Sequence, residues 1–163
     1  VVVSGQLELS VDGTTWLRSG DAGILVGGHL HVVGRRKDMI IVRGANLYAE
    51  DLELTLMDQP EARDLEAAAV IAVERNAAES IVVLCELSSS GSRRGLSGDI
   101  AETLRQRVAA AHGVQPSQMI LLPPRTLPRT TSGKIQRGAA RAAWLDGRLS
   151  QIAWLAQSER LPA

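Results

Sequence analysis

The sequence predicts an α+β fold, a small, mainly antiparallel β-sheet of about three strands covered by helices. Three observations carry this. From residue 35 onward the elements read strand, helix, strand, strand, helix, strand, loop, helix. Two apolar runs of seven residues, 67–73 and 81–87, flank the polar Glu74-Arg75-Asn76 and look like two central strands of one sheet. Segments 49–59 and 99–112 instead carry apolar residues at helical spacing. A chain of 163 residues suits one ordinary domain, or a small domain with an appendage.

Residues 1–34 read as short strands. Gln6-Leu-Glu-Leu-Ser-Val11 alternates polar and apolar, and Asp12-Gly13 marks a turn. Ile24-Leu-Val26 and His29-Leu-His-Val-Val33 flank Gly27-Gly28, the pattern of a two-residue hairpin. Residues 39–42 form a short apolar strand, after which Gly44 and Asn46 turn the chain. The helix from Ala49 to about Gln59 stacks Leu52 on Leu56 and places acids in its first turn, where the helix dipole favours them. Pro60 ends it.

Residues 88–95 are Ser-, Gly- and Arg-rich and predict a mobile loop. Asp99 opens a helix that runs to His112 on a stripe of Ile100, Leu104, Val108 and Ala111, with Gly113 as C-cap. His112 suits the cation-favouring end of that helix. Pro116-Ser117 opens a third core strand over 118–122, and Pro123, Pro124 and Pro128 keep the next stretch extended. Residues 138–145 form a last short helix that packs Trp144, and the chain beyond Ser150 reads as a further amphipathic turn or a linker.

Composition excludes several functions. The formal net charge is zero, so the whole chain is no electrostatic binder of nucleic acid or anionic membrane. Three Trp, one Tyr and no Phe leave little for base stacking. The single Cys85 lies in an apolar run and reads as a buried, inert thiol. His29 and His31 share a strand face but have no third ligand nearby, so no metal site is expected. No apolar run approaches the ~18 residues of a membrane span, and the first residues lack the features of a signal peptide. A reducing cytoplasm fits these features. The abrupt start in a strand predicts a piece cut from a longer protein.

Charge is nonetheless unevenly placed. Residues 50–66 hold seven acids against Arg63, a solvated face. Residues 125–148 hold six bases against Asp146, and Arg35-Arg36-Lys37 with Arg43 forms a second basic knot. Each cluster sits beside a glycine turn, which suggests an anionic ligand. Among eighteen basic residues only Lys37 and Lys134 are lysine. Lysine is a compact ammonium on a flexible stem that can reach one reacting oxygen, whereas arginine is a planar fork suited to static pairing. Ser132-Gly133 puts Lys134 on an exposed turn. The Ser132-Gly133-Lys134 run is no P-loop: position 128 is Pro128 where that motif needs glycine, and Ile135 follows the lysine.

Four motifs in order resemble the C-terminal part of the adenylate-forming superfamily of acyl-CoA synthetases and nonribosomal-peptide adenylation domains. Trp16-Leu-Arg-Ser-Gly-Asp21 resembles its W-x-R-T-G-D segment. Gly34-Arg-Arg-Lys-Asp-Met-Ile-Ile-Val-Arg-Gly44 resembles the hinge and the hairpin after it. Asn46-Leu-Tyr-Ala-Glu-Asp-Leu-Glu53 resembles N-x-Y-P-x-D-I-E, and Leu127-Pro-Arg-Thr-Thr-Ser-Gly-Lys-Ile-Gln-Arg137 resembles the segment around the catalytic lysine. The likeness covers roughly residues 14–146. Within the superfamily it is nearest to fatty acyl-AMP ligases, which load fatty acids onto carrier proteins. Ile41 stands where many CoA ligases have lysine, which favours that branch. Ala49 in place of proline and Ser19 in place of threonine are departures.

The resemblance implies a division of the chain. Residues 1–34 would be β-hairpins at the end of a large N-terminal adenylation domain, residues 35–150 a mobile lid, and residues 151–163 a terminal helix or linker. It implies Lys134 as the catalytic group on a loop supported by Ser132 and Gly133. Asp21 and Arg35 would bind the ATP ribose. Lys37, with Asp38 beside it, would be the hinge, and Gly44 would belong to the hairpin used in the transfer state. ATP and Mg2+ would serve the full-length enzyme without binding tightly to this chain alone. Partners would be the N-terminal domain, a fatty acid, and an acyl carrier protein or CoA. A CoA ligase or peptide-type adenylation domain, a non-catalytic interaction module and a small nucleotide-binding regulator are the other readings.

Overall fold

A computed structural model of the chain describes residues 2–149, apart from 11–12, 14–15, 43, 76–77 and 95–97. The expected terminal segment 151–163, Arg43 and Asp12 of the first turn therefore lie outside the described residues. Three sheets follow one another along the chain. β1 (Val2–Ser10), β2 (Trp16–Val26) and β3 (His29–Arg35) form an antiparallel meander in that order. Gly27 and Gly28 both take positive φ, 57° and 84°, as the expected two-residue hairpin turn demands.

β4 (Met39–Val42) and β5 (Ala45–Tyr48) make a small hairpin, with Met39 opposite Tyr48 and Val42 opposite Ala45. Here the sequence reading needs correction. Gly44, at φ +81°, supplies a left-handed turn residue, whereas Asn46 lies within β5 opposite Ile41. α1 (Ala49–Met57) follows without a break and buries Ala49, Leu52 and Leu56.

The third sheet is the centre of the molecule. β6 (Leu65–Arg75) and β7 (Ala78–Leu87) pair antiparallel, and β8 (Gln118–Leu122) adds to β7 in parallel. A parallel neighbour requires a crossover. The chain supplies it through α2 (Ser89–Arg94) and α3 (Gly98–His112). The sheet is thus mixed, with one parallel pair.

α2 replaces part of the loop expected over 88–95. The serines that suggested mobility act as caps: Gly91 N–H donates to Ser88 Oγ at 3.0 Å and Ser92 N–H to the Ser88 carbonyl at 2.9 Å. Gly91 is buried there, and a Cβ on it would lie 2.3 Å from the Asp64 carbonyl oxygen.

Alternation along the strands divides the core between the two faces of this sheet. Val70, Ile81, Val83, Cys85, Met119 and Leu121 pack toward α1 and α3, with Leu52, Leu56, Leu104 and Val108. Ile71, Val82, Leu84, Ile120 and Leu122 pack on the other face against Leu127, Ala140 and Ala143; the two alanines come from α4 (Arg137–Leu145). β7 is therefore covered on both sides, which is why residues 81–85 are a continuous apolar run. Cys85 is fully buried, and burial pushes its thiol up to about 12, so it is inert as a nucleophile. His112 does more than end α3: its Nε2 lies 2.8 Å from Thr55 Oγ1 and ties α3 to α1. Among the described residues no helix is long and apolar enough to cross a membrane.

Candidate functional site

The lysine loop is a closed turn standing on the core. Leu127 is buried beneath it and Ile135 packs against the same cluster, whereas residues 130–134 are all exposed. Arg129 and Ile135 bridge across its base. Thr130 N–H donates to the Lys134 carbonyl at 2.8 Å, and Lys134 N–H donates to Thr130 Oγ1 at 3.1 Å. Gly133 takes φ +84° and donates to the Thr130 carbonyl at 2.9 Å. A side chain at 133 would be strained in that backbone. Thr130 Oγ1 and Ser132 Oγ are 2.9 Å apart. The result is a rigid peptide frame with a free-standing ammonium at its tip.

That tip opens on a cleft of about 910 Å³. The cleft brings together residues a hundred positions apart: Asp21, Arg35, Lys37 and Asp38 on one side, Gly133 and Lys134 on the other. Asp21 and Arg35 face each other across β2 and β3, with Arg35 Nε 3.4 Å from Asp21 Oδ1. Six of the eight residues implied by the motifs thus line one space. Ser132 faces away into its own loop, and Gly44 lies at the exposed β4–β5 turn outside the cleft.

Gly34 sits near the end of β3, just before the short turn over Arg36–Asp38. Its φ is +149°, and a Cβ there would come 2.5 Å from Tyr48 Cδ1. Glycine lets β3 lie directly on the tyrosine ring. Gly34→Ala is expected to lower stability by about 1–3 kcal/mol through this overpacking, read as a lower urea midpoint at unchanged slope. An unchanged midpoint would show that the contact is not tight.

Two ion-pair networks flank the lysine loop, one of them lining the cleft, and the motifs did not reveal either. Arg137, first residue of α4, donates from Nη1 to Asp38 Oδ2 at 2.9 Å and from Nε to Glu53 Oε1 at 2.7 Å. It links the turn at Asp38 to α1 three residues after Lys134. Its guanidinium is held above its ordinary value, chiefly by the hydrogen bond to Glu53 and further by the charges of Glu53, Asp38 and Glu50. The second network joins Arg129 to Glu86, a carboxylate on β7 with no exposed surface. The signal for it was one acid inside the apolar run 81–87, since a buried charge requires a partner. Among the described residues no group of three or more His, Cys, Asp or Glu side chains could hold a metal ion.

No protein-family model matches the chain. Individual proteins do. The medium-chain-fatty-acid–[acyl-carrier-protein] ligase JamA of Moorena producens is 37% identical over 137 residues, 83% of this chain and 23% of that protein. The fatty acid AMP ligase of Legionella pneumophila superposes with a TM-score of 0.57 at 30% identity, covering 89% of this chain and 26% of that one. The chain belongs to the adenylate-forming ligases. A further structure of this superfamily, the McyG A-PCP protein complexed with phenylalanyl-adenylate, matches with a TM-score of 0.68 at 26% identity, covering 81% of this chain and 24% of that one. The chain thus spans about a quarter of the length of the proteins it matches.

Proposed function

We propose that the chain is the C-terminal lid of a fatty acyl-AMP ligase. Residues 35–150 form the lid, residues 1–34 the tail of a large N-terminal adenylation domain, and residues 151–163 a terminal helix or linker. The observation that carries this reading is the cleft, in which Lys134 meets Asp21, Arg35 and Lys37 across a hundred residues of sequence.

Adenylation sets a fatty carboxylate against the α-phosphate of ATP, two anions that repel. Lys134 is the cation placed between them, stabilising the charge that develops as pyrophosphate leaves. Asp21 accepts hydrogen bonds from ribose hydroxyls, as a carboxylate is equipped to do, and Arg35 holds it in place. The donor set fits the sugar and one phosphate. It does not fit Mg2+ or the polyphosphate: Asp21, Asp38 and Glu53 already face arginines, and no glycine-rich phosphate loop is present in the sequence. Those groups fall to the N-terminal domain, which would bind the metal and the triphosphate.

After adenylation the lid turns about Lys37 and Asp38 and presents the Gly44 hairpin for acyl transfer. A carrier-protein phosphopantetheine is the acceptor. The similarity to an acyl-carrier-protein ligase supports it, as does the exposed, apolar Ile41 where many CoA ligases have lysine.

Exchange of pyrophosphate into ATP tests this. The full-length protein is expected to show exchange dependent on dodecanoate, and these 163 residues alone none. Exchange by the isolated chain would sink the lid assignment. No exchange by the full-length protein with any fatty acid would sink the ligase assignment.

A further inference from the structure

Glu86 is costly where it stands. It lies on the central strand, wholly buried, beside Leu84 and Leu122 of the same core cluster. Taking a carboxylate out of water costs several kcal/mol, and a hydrophobic residue of similar volume is often as stable or more so. Stability alone would favour leucine at this position, so another reason is required.

The contacts of Glu86 supply one. Oε2 accepts from the Leu127 N–H at 2.7 Å and from Arg129 Nη1 at 3.2 Å, and Oε1 accepts from Arg129 Nη2 at 2.9 Å. The guanidinium and carboxylate form a two-pronged fork, the arrangement that fixes orientation as well as distance. Arg129 also forms the base of the lysine loop: its carbonyl accepts from Gln136 Nε2 at 2.9 Å, and the next residue, Thr130, holds both the N–H and the carbonyl of Lys134. One path therefore runs from the sheet through Glu86, Arg129 and Thr130 to the peptide of Lys134. The apolar anchors Leu127 and Ile135 hold the loop down, but such contacts are non-directional. Between them residues 130–134 touch no core.

We infer that the Glu86–Arg129 fork is a positioning pair for the adenylation step, fixing the direction in which Lys134 leaves the loop. It touches neither substrate nor reacting atoms. The inference rests on the role of Lys134 proposed above. A misplacement of about 1 Å can cost on the order of 10²-fold in rate. Arg129→Met keeps most of the stem and loses the fork, and Glu86→Gln keeps an acceptor for Leu127 while weakening the fork.

The test measures dodecanoyl-AMP formation by the full-length protein with each variant, alone and combined with Lys134→Ala. With Lys134 present, Arg129→Met is expected to lower kcat about 10-fold or more with KM for ATP within about twofold, and Arg129→Lys to recover part of it. In the Lys134→Ala background neither Arg129→Met nor Glu86→Gln is expected to cause further loss, because a residue acting only through Lys134 has nothing left to place. If Arg129→Met does not fold, Glu86→Gln carries the same comparison. Equal losses in both backgrounds, or no loss with Lys134 present, would overturn the positioning role and leave the lysine assignment standing. A wild-type rate for Lys134→Ala alone would overturn the lysine assignment, and this inference with it.

Discussion

Replacing Lys134 with alanine in the full-length protein is expected to reduce acyl-AMP formation by about 10³-fold or more, the scale on which a lost charge-stabilising group is felt in a transition state. Transfer of a preformed dodecanoyl-adenylate to a phosphopantetheine thiol is expected to continue at the wild-type rate. The asymmetry follows from chemistry. Only the first step brings two anions together and expels a third, so only that step needs the ammonium. Lys134 is exposed and its frame is made by backbone and Thr130, so Lys134→Ala is expected to leave the unfolding midpoint in place. Lys134→Arg retains the charge but spreads it over a planar fork on a stiffer head, and is expected to recover only a small part of the rate. Unchanged acyl-AMP formation by Lys134→Ala would refute the assignment.

What the sequence made legible and what it hid differ in physical kind. The strands over 67–73 and 81–87, the helix ending at His112 and the Gly27-Gly28 turn were readable, because burial on a periodic element and positive φ at glycine are local constraints. Lys134 stood out because a lysine in an arginine-rich chain, on a glycine turn, is a local anomaly. The parallel pairing of β8 with β7 was not. It depends on a crossover, and no property of residues 118–122 states which neighbour they join. The serines at 88–90 misled for a related reason: the hydroxyls that disfavour helix interiors also cap helix starts, and only the fold decides between these roles. Asn46 misled similarly, since asparagine is at home in turns but here pairs within β5 opposite Ile41. Glu86 and Arg137 were present in the sequence, but their partners lie 43 and 84 residues away, at Arg129 and Glu53. An ion pair across such separations leaves no periodic trace. At the cleft, the residue types stood open in the sequence, while the side chains that hold them in place emerged only from packing.

Arg137→Met is expected to lower stability by about 2–3 kcal/mol, toward the lower end of what breaking a buried ion pair costs, because its partners retain some exposure. Arg137 is 24% exposed, Glu53 14% and Asp38 25%. Removing the guanidinium strips both carboxylates of their counter-charge while burial still keeps water from replacing it. Glu53 cannot turn away to solvent without loss, because its Oε1 also accepts the Val70 N–H at 2.9 Å in the middle of β6. The damage is thus one residue's loss felt at three places: the Arg36–Asp38 turn, α1 at Glu53 and β6 at Val70. A second variant separates charge from contact. Glu53→Gln with Arg137→Met keeps an acceptor for Val70 and removes the orphaned charge, so it is expected to be more stable than Arg137→Met alone. The folded guanidinium holds its proton more tightly than the unfolded one. Its contribution is therefore complete below the value at which the unfolded guanidinium loses its proton, far above neutrality, and fades only as pH rises through the higher folded one. The cost of Arg137→Met is expected to be the same at pH 6 and pH 9. Urea unfolding at both pH values measures it, and a loss under about 0.5 kcal/mol, the range of an ordinary surface pair, would show that this network does not brace the lid.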